Sequence, residues 1–272
     1  MSQLRRPSVA GLFYPDDPQA LQAQVRGYID AAARQHPPPA ADDGPKALIA
    51  PHAGYIYSGP VAGSAYARIA NAAARITRVV LLGPAHRLAF RGLAYSAADQ
   101  FATPLGRVAV DQAAIATLTD LPQVQLLEAA FDGEHCLEVQ LPFLQVLLQQ
   151  FSIVPLLVGD AHGSQVSEVL ERLWGGPETL IVVSSDLSHY LDYASARDID
   201  RRTVQAICDL QPERISTHQA CGRHPIAGLL QQARRHHLHG TLLDLRNSGD
   251  TAGPRDRVVG YGACAFNAAQ AA

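Results

Sequence analysis

Short apolar runs alternate with amphipathic helical patterns along most of this chain. The runs are rich in valine, isoleucine and leucine, are four to nine residues long, and are separated by stretches with apolar residues at helical spacing. A sheet covered by helices on both faces produces this alternation, because its strands are buried on both sides. Strands are therefore predicted at residues 47–50, 78–82, 153–158, 179–185, 241–245 and 258–266.

The helices predicted between these strands complete an α/β pattern. A first helix is expected to begin at Asp17, a capping acid, and Pro18, and to end before His36. The proline-rich stretch at 37–45 is too short to separate two domains, so we expect one domain over residues 1–272. The other predicted helices lie near residues 60–71, 111–120, 137–150, 164–174, 195–209 and 224–236.

Composition excludes several classes of protein. The chain is 47% hydrophobic and 17% charged, which is typical of a globular protein. Its net charge of −3 gives no electrostatic reason to bind nucleic acid or an anionic membrane. No apolar stretch approaches the roughly 20 residues that span a bilayer, and the N-terminal segment has no signal-peptide core, so a cytoplasmic location is expected. The four cysteines form no CxxC pair, which argues against a disulfide framework or a zinc knuckle.

Polar side chains follow three of the predicted strands. His52 comes after residues 47–50, His86 after residues 78–82, and Asp186 and His189 after residues 179–185. In α/β sheets ligands bind beyond the carboxyl ends of the strands, so these groups are expected to converge on one edge. One such histidine alone would be an ordinary hydrogen-bonded loop residue, but several together indicate a functional site.

Two further segments are too polar to serve packing alone. Glu134 and His135 precede an apolar helical run, and helix capping accounts for the acid but not for the histidine. Cys221 lies beside Arg223 and His224 at the start of a predicted helix, where cationic neighbours favour the thiolate that acts as nucleophile or metal ligand. A buried, inert cysteine is the alternative.

Six motifs resemble those of one family. The strings IAPHAGYIYSG, LLGPAH, EHCLEVQLPFL, PLLVG, VVSSDLSHY and CGRHPI occur in the order found in the Memo family, from about Ala10 to Phe266. That family is similar in fold to the class III extradiol dioxygenases, which open catechol rings with non-haem Fe(II). The resemblance implies a single three-layer α/β/α domain with a central mixed, largely parallel sheet.

The resemblance also implies roles for individual residues. By it, His52, His86 and Cys221 form a metal site, and Asp186 and His189 occupy the acid/base position. A thiolate would then replace the carboxylate that the dioxygenases use, which widens the metal preference from Fe(II) toward copper or zinc. The fold therefore does not by itself imply ring opening. The substrate-binding candidates are His135, Glu134, Tyr55 and Arg223.

Several functions fit these residues. The first is a metal-dependent oxidoreductase in which His189, oriented by Asp186, moves protons for a small-molecule substrate. The second is a binding protein, because a eukaryotic Memo member is described as an adaptor for phosphotyrosine peptides, and Arg223 would supply the anion site. The third is a zinc hydrolase with the same ligands, and the fourth is a cysteine hydrolase with Cys221 as its nucleophile. A homodimer is compatible with the sequence, which does not determine the oligomeric state.

Overall fold

The strands form one large mixed sheet flanked by helices in the computed structural model, which describes residues 3–37 and 44–268. The predicted α/β class is confirmed, whereas most of the proline-rich stretch, residues 38–43, lies outside the described residues. The strands are β1 (Leu4–Arg5), β2 (Ala47–Ala50), β3 (Arg78–Pro84), β4 (Leu93–Tyr95), β5 (Gln100–Thr103), β6 (Gly106–Val110), β7 (Val124–Leu126), β8 (Ser152–Val158), β9 (Thr179–Ser184), β10 (His189–Leu191), β11 (Leu238–Asn247) and β12 (Val258–Ala268).

The helices fall into groups that pack on one another. The first, second and fourth form one group, and the fifth packs against the seventh. No helix among the described residues combines the length and the apolar character that crossing a membrane requires. The helices are α1 (Pro18–Gln35), α2 (Tyr55–Ala67), α3 (Gln112–Ala116), α4 (Leu141–Leu147), α5 (Gly163–Leu173), α6 (Tyr193–Cys208) and α7 (Arg223–Arg235).

The centre of the sheet consists of four parallel strands in the order β8, β3, β9, β2. Their residues are almost all buried, as expected for strands with helices on both sides. β12 continues the sheet beyond β2 in the antiparallel direction. The carboxyl ends of the four parallel strands and the start of β12 therefore lie at the same edge of the sheet, and this edge carries the polar motifs.

The predicted elements differ from the observed ones where strands are short or where proline misled the assignment. Six strands of two to five residues, β1, β4, β5, β6, β7 and β10, were not predicted, because none contains a long apolar run. Helix α2 begins at Tyr55 rather than near residue 60, with Pro60 inside the helix. The helix expected at 111–120 is confined to α3, and the one expected at 137–150 is a 3₁₀ turn, Glu138–Gln140, followed by α4. The first helix was predicted well: it begins at Pro18, and the Asp17 side chain accepts a hydrogen bond from the Ala20 N–H.

A buried carboxylate on α6 supports the segment that follows β9. Asp200 is 2% exposed, and its Oδ1 accepts a hydrogen bond from the Ser188 N–H at 3.0 Å. Its Oδ2 has no hydrogen-bond partner among the described residues and faces Gly260 of β12, where a Cβ atom would lie 1.9 Å away. Burial raises the pKa of Asp200 to about 6, against the lowering effect of the Ser188 hydrogen bond.

We expect Asp200→Asn to stabilise the protein at neutral pH. Because the folded pKa of about 6 lies above the ordinary aspartate value of 3.8, the protonated carboxyl is favoured in the folded state. This contribution to stability is lost as the pH rises through about 6. The free energy of unfolding of the variant, relative to wild type, should therefore increase by about 2–3 kcal/mol between pH 4 and pH 7, measured by chemical denaturation. Asp198→Asn, an exposed change on the same helix, should show no such trend. A variant less stable than wild type at pH 7 would contradict the assignment.

Candidate metal centre

The carboxyl ends of β2, β3 and β9 bring His52, His86 and Asp186 together. The three strands are adjacent, with Ala50 paired to Ser184 and Leu82 paired to Val183. The chain then turns, and the polar residue lies two positions beyond the end of each strand. The rings of His52 and His86 have centroids 5.1 Å apart.

A third imidazole joins these two from the segment that precedes the turn Glu138–Gln140. His135 lies with its ring centroid 5.2 Å from that of His86 and 5.6 Å from that of His52. One ring nitrogen from each of the three residues lies within 4.8 Å of the others. Such a spacing allows three nitrogen lone pairs to face one cation.

The hydroxyl of Ser184 fixes the tautomer of His52. Ser184 Oγ donates to the carbonyl of Cys136 at 2.6 Å and accepts from Gln140 Nε2 at 2.8 Å. The remaining contact, 2.9 Å from His52 Nδ1, must therefore be an Nδ1–H donating to Oγ. His52 Nε2 consequently carries a lone pair and faces the centre.

A carboxylate orients His86 in the same way. Glu134 accepts hydrogen bonds from the backbone N–H of His86 at 2.7 Å and from its Nδ1 at 3.0 Å, and also from the backbone N–H groups of His135 and Cys136. Burial alone would raise the pKa of Glu134, but its hydrogen bonds and the charge of His86 lower the pKa to about 2. The ionised carboxylate holds the Nδ1–H of His86, so Nε2 of this ring is free as well.

Burial also favours the uncharged form of two of these rings. It lowers the pKa of His52 to about 3, with His86 adding to the effect, and lowers the pKa of His135 to about 4, with His52 adding to it. Both rings are therefore uncharged at neutral pH, which is the form that binds metals.

Cys221 contacts the same nitrogen of His52 that faces the centre. Its Sγ is 3.4 Å from His52 Nε2 and accepts a hydrogen bond from the Asp186 N–H at 3.2 Å. Gly222 allows this approach, because a Cβ atom there would lie 2.6 Å from the Cβ of Ser185. Burial raises the pKa of the Cys221 thiol to about 12, and the charge of Asp186 adds to the effect. The expected thiolate, stabilised by Arg223, is therefore wrong for the metal-free protein.

Asp186 and His189 have separate partners rather than forming a pair. Asp186 Oδ1 accepts a hydrogen bond from the His52 N–H at 2.8 Å, and burial raises the pKa of this carboxyl. His189 Nδ1 donates to the Leu187 carbonyl at 2.8 Å, so the neutral form of this ring carries its lone pair on Nε2. The prediction that Asp186 orients His189 is wrong, because the backbone carbonyl of Leu187, in the segment after β9, orients the ring instead.

The centre opens into a cleft of about 680 Å³. His52, His86, His135, Asp186 and His189 line this cleft. Cys221 instead lines a neighbouring cleft of about 790 Å³, which also reaches His86 and His189. The two clefts therefore share His86 and His189.

The structure separates three of the four predicted substrate-binding residues from the cleft. Tyr55 is 2% exposed and its hydroxyl donates to the Val139 carbonyl, so it is a packing residue. Arg223 begins α7 and lines neither cleft, and Glu134 is buried as the anchor of His86. The cleft instead contains residues that the sequence reasoning missed, although each lies beside or within a quoted motif or at the start of a predicted strand: Tyr57, Arg87, Tyr190, Arg257 and Tyr261.

One wall of the cleft comes from the N-terminal segment. The ring of Phe13 lies 4.7 Å from that of His135. A buried carboxylate, Glu138, anchors this segment, because it accepts hydrogen bonds from the N–H groups of Ser8 and Val9 and from the Tyr14 hydroxyl. Nothing in the sequence pattern indicated this link, which joins residues about 130 positions apart.

We expect Glu138→Ala to release the N-terminal segment. Loss of a buried acceptor for three donors should lower the free energy of unfolding by about 3 kcal/mol. Hydrogen exchange at Ser8 and Val9 should accelerate by more than the global loss of stability explains. Asp99→Asn is the matched control, because Asp99 holds the Gln3 N–H and its loss should leave Ser8 and Val9 protected. Unchanged exchange in Glu138→Ala would contradict the anchoring role.

Comparison with known proteins agrees with the motifs. A family model described as Memo-like protein matches residues 5–265. A MEMO1 family protein of Archaeoglobus fulgidus is 34% identical over 274 residues, covering 97% of this chain and 99% of the relative. MEMO1 family proteins of Aquifex aeolicus and Nitrosopumilus maritimus are 34% and 30% identical, and cover 95% and 97% of this chain and 97% and 99% of the relatives, respectively. The chain therefore belongs to the Memo family.

Proposed function

We propose that this protein is a metal-dependent oxidoreductase that binds Fe(II) and acts on a small molecule in the cleft. The observation that carries the proposal is the group of three imidazoles, two of which have their second nitrogen committed to Ser184 and Glu134. Such commitment costs conformational freedom and buries polar atoms, and it is the usual arrangement around histidine ligands of metals. A packing role for these rings would not require their free nitrogens to converge.

His52 and His86 are the proposed ligands from the imidazole group, and Cys221 is the proposed third. The contact of 3.4 Å between Cys221 Sγ and His52 Nε2 is close to the separation of about 3.6 Å expected for sulfur and nitrogen ligands of one tetrahedral ion. His135 competes for the same place, because its nitrogen lies within 4.8 Å of those of His52 and His86. Two histidines and one anionic ligand leave positions open toward the cleft, which is the pattern of non-haem iron oxygenases.

The chain's own residues supply proton transfer. A bound Fe(II) would provide a redox-active centre that passes electrons between substrate and dioxygen. His189 Nε2 is free to accept a proton from a substrate in the cleft, because Nδ1–H is held by Leu187. Asp186 retains a proton more readily than an exposed carboxyl, since burial raises its pKa, and it can return a proton on the same side of the cleft.

The metal content of ligand variants tests the proposal. We expect protein purified without oxygen to contain one iron per chain by elemental analysis, and His52→Gln and His86→Gln to lose it. If the Cys221 thiolate is the third ligand, Cys221→Ser should lower the affinity for Fe(II) at least about tenfold. If the His135 imidazole is the third ligand, His135→Gln should lower the affinity by this amount instead. His239→Gln, on the exposed side of β11, is the control. Zinc as the bound metal, with no oxygen consumption, would favour the hydrolase, and absence of any tightly bound metal would refute both.

We expect Glu134→Gln to weaken metal binding without removing a ligand. The amide cannot accept all the N–H donors that the carboxylate accepts, so His86 would lose its fixed orientation. Loss of such a hydrogen-bonding partner typically lowers metal affinity about 10- to 100-fold, which anaerobic titration with Fe(II) would measure. Glu128→Gln, which affects the bonds to Ser96 and Ala97, should leave the affinity unchanged. Equal affinities in wild type and Glu134→Gln would show that His86 is not a ligand.

A further inference from the structure

Aromatic side chains are concentrated in the cleft beside the imidazole group. Aromatic residues make up 6% of the chain, yet four of the 19 residues that line the cleft are Phe13, Tyr57, Tyr190 and Tyr261. The rim carries further apolar surface, since Leu12 is 80% exposed and Ile56 is 59% exposed. Exposed apolar groups gathered at one concave site indicate a ligand with an apolar body.

Two arginines line the same cleft from different strands. Arg87 follows β3 and Arg257 precedes β12, and between these strands in the sheet lie β9 and β2, which carry Asp186 and His52. Both arginines therefore lie at the same edge of the sheet as the imidazole group. Both are exposed, and within the described part of the chain neither has a carboxylate partner. Uncompensated guanidinium groups at a cleft are suited to bind an oxyanion.

One of these arginines stacks on the ring of Tyr190. Tyr190 has a φ of 60°, in the left-handed backbone region that residues other than glycine rarely adopt. Its side chain is 64% exposed. The Arg257 guanidinium lies over its ring at 5.2 Å. Stacking uses the face of the guanidinium and leaves its N–H groups, which lie in its plane, free for a ligand. Strain of this kind is characteristic of binding sites, because packing alone gains nothing from an exposed tyrosine.

We propose that the cleft binds a small organic anion with a flat apolar body, whose oxyanion group is bound by Arg87 and Arg257. The apolar body lies among the aromatic side chains, next to the imidazole group. Asp186 does not oppose this charge at the mouth of the cleft, because it is buried at the base, where it accepts the His52 N–H. The inference deepens the proposed function by naming the substrate class of the same site, and its test does not depend on bound metal.

Binding of three related probes tests this inference. 2-Naphthoate and 2-naphthyl phosphate carry the anion, and 2-naphthamide has the same rings without the charge. Calorimetric titration of metal-free and metal-loaded protein should show both anions binding at least about tenfold more tightly than the amide. Arg87→Gln and Arg257→Gln should each weaken anion binding by at least about tenfold. The matched control is Arg255→Gln, because Arg255 stacks on Tyr193 at 4.5 Å but does not line the cleft.

The outcomes separate this inference from the proposed function. Charge-selective binding that depends on Arg87 and Arg257 supports the substrate class even if no metal binds, and the better of the two anions identifies a carboxylate or a phosphate as the natural group. Equal binding of the amide, no binding of any probe, or equal losses in Arg255→Gln would overturn the inference. Binding of a tyrosine-phosphorylated peptide but not of 2-naphthyl phosphate would overturn it as well, in favour of a protein partner. Melting temperatures and metal content of the three variants establish that each is folded.

Discussion

The parallel pairing of β2 with β9 determines the geometry of the metal centre. Ala50 lies opposite Ser184 in this register, so His52 and Asp186, each two residues beyond its strand, meet through a hydrogen bond of 2.8 Å from the His52 N–H to Asp186 Oδ1. A shift of one residue would reverse the faces of the side chains and remove Ser184 from the His52 ring. Backbone pairing across a buried sheet is rigid, and it therefore positions an imidazole more accurately than a flexible loop would.

Two buried carboxylates near the centre have opposite electrostatic roles. Glu134 accepts four N–H groups and is surrounded by histidine, so its pKa falls to about 2 although burial alone would raise it. Asp186 accepts the His52 N–H, and burial raises its pKa. The number of hydrogen-bond donors decides whether burial raises the pKa of such a carboxyl or the hydrogen bonds lower it. Glu134 is thus an anion that orients a ring, whereas burial favours the protonated form of Asp186.

The features that could be predicted from the sequence are the elements with long apolar runs and the polar groups that follow the ends of parallel strands. The central strands and α1 were predicted correctly, and the convergence of His52 and His86 followed from parallel strands that end at one edge. The short strands and the anchoring of the N-terminal segment by Glu138 could not be predicted, because they depend on contacts between distant residues. Tyr55 was predicted to bind substrate, whereas Tyr57 is the tyrosine of this motif that lines the cleft. The direction of α2, which decides between them, cannot be inferred from the motif.

The burial of Cys221 distinguishes among the functions that the sequence left open. A thiol whose pKa is raised to about 12 is almost wholly protonated at neutral pH, so a nucleophilic cysteine hydrolase is disfavoured. Metal binding is not disfavoured to the same degree, because a cation beside Sγ stabilises the thiolate far more than Asp186 destabilises it. The same desolvation also lowers the pKa of His52 and of His135 and keeps both rings uncharged. A site in which burial suppresses the charges of His52, His135 and Cys221 is poorly suited to nucleophilic attack and well suited to receive a cation.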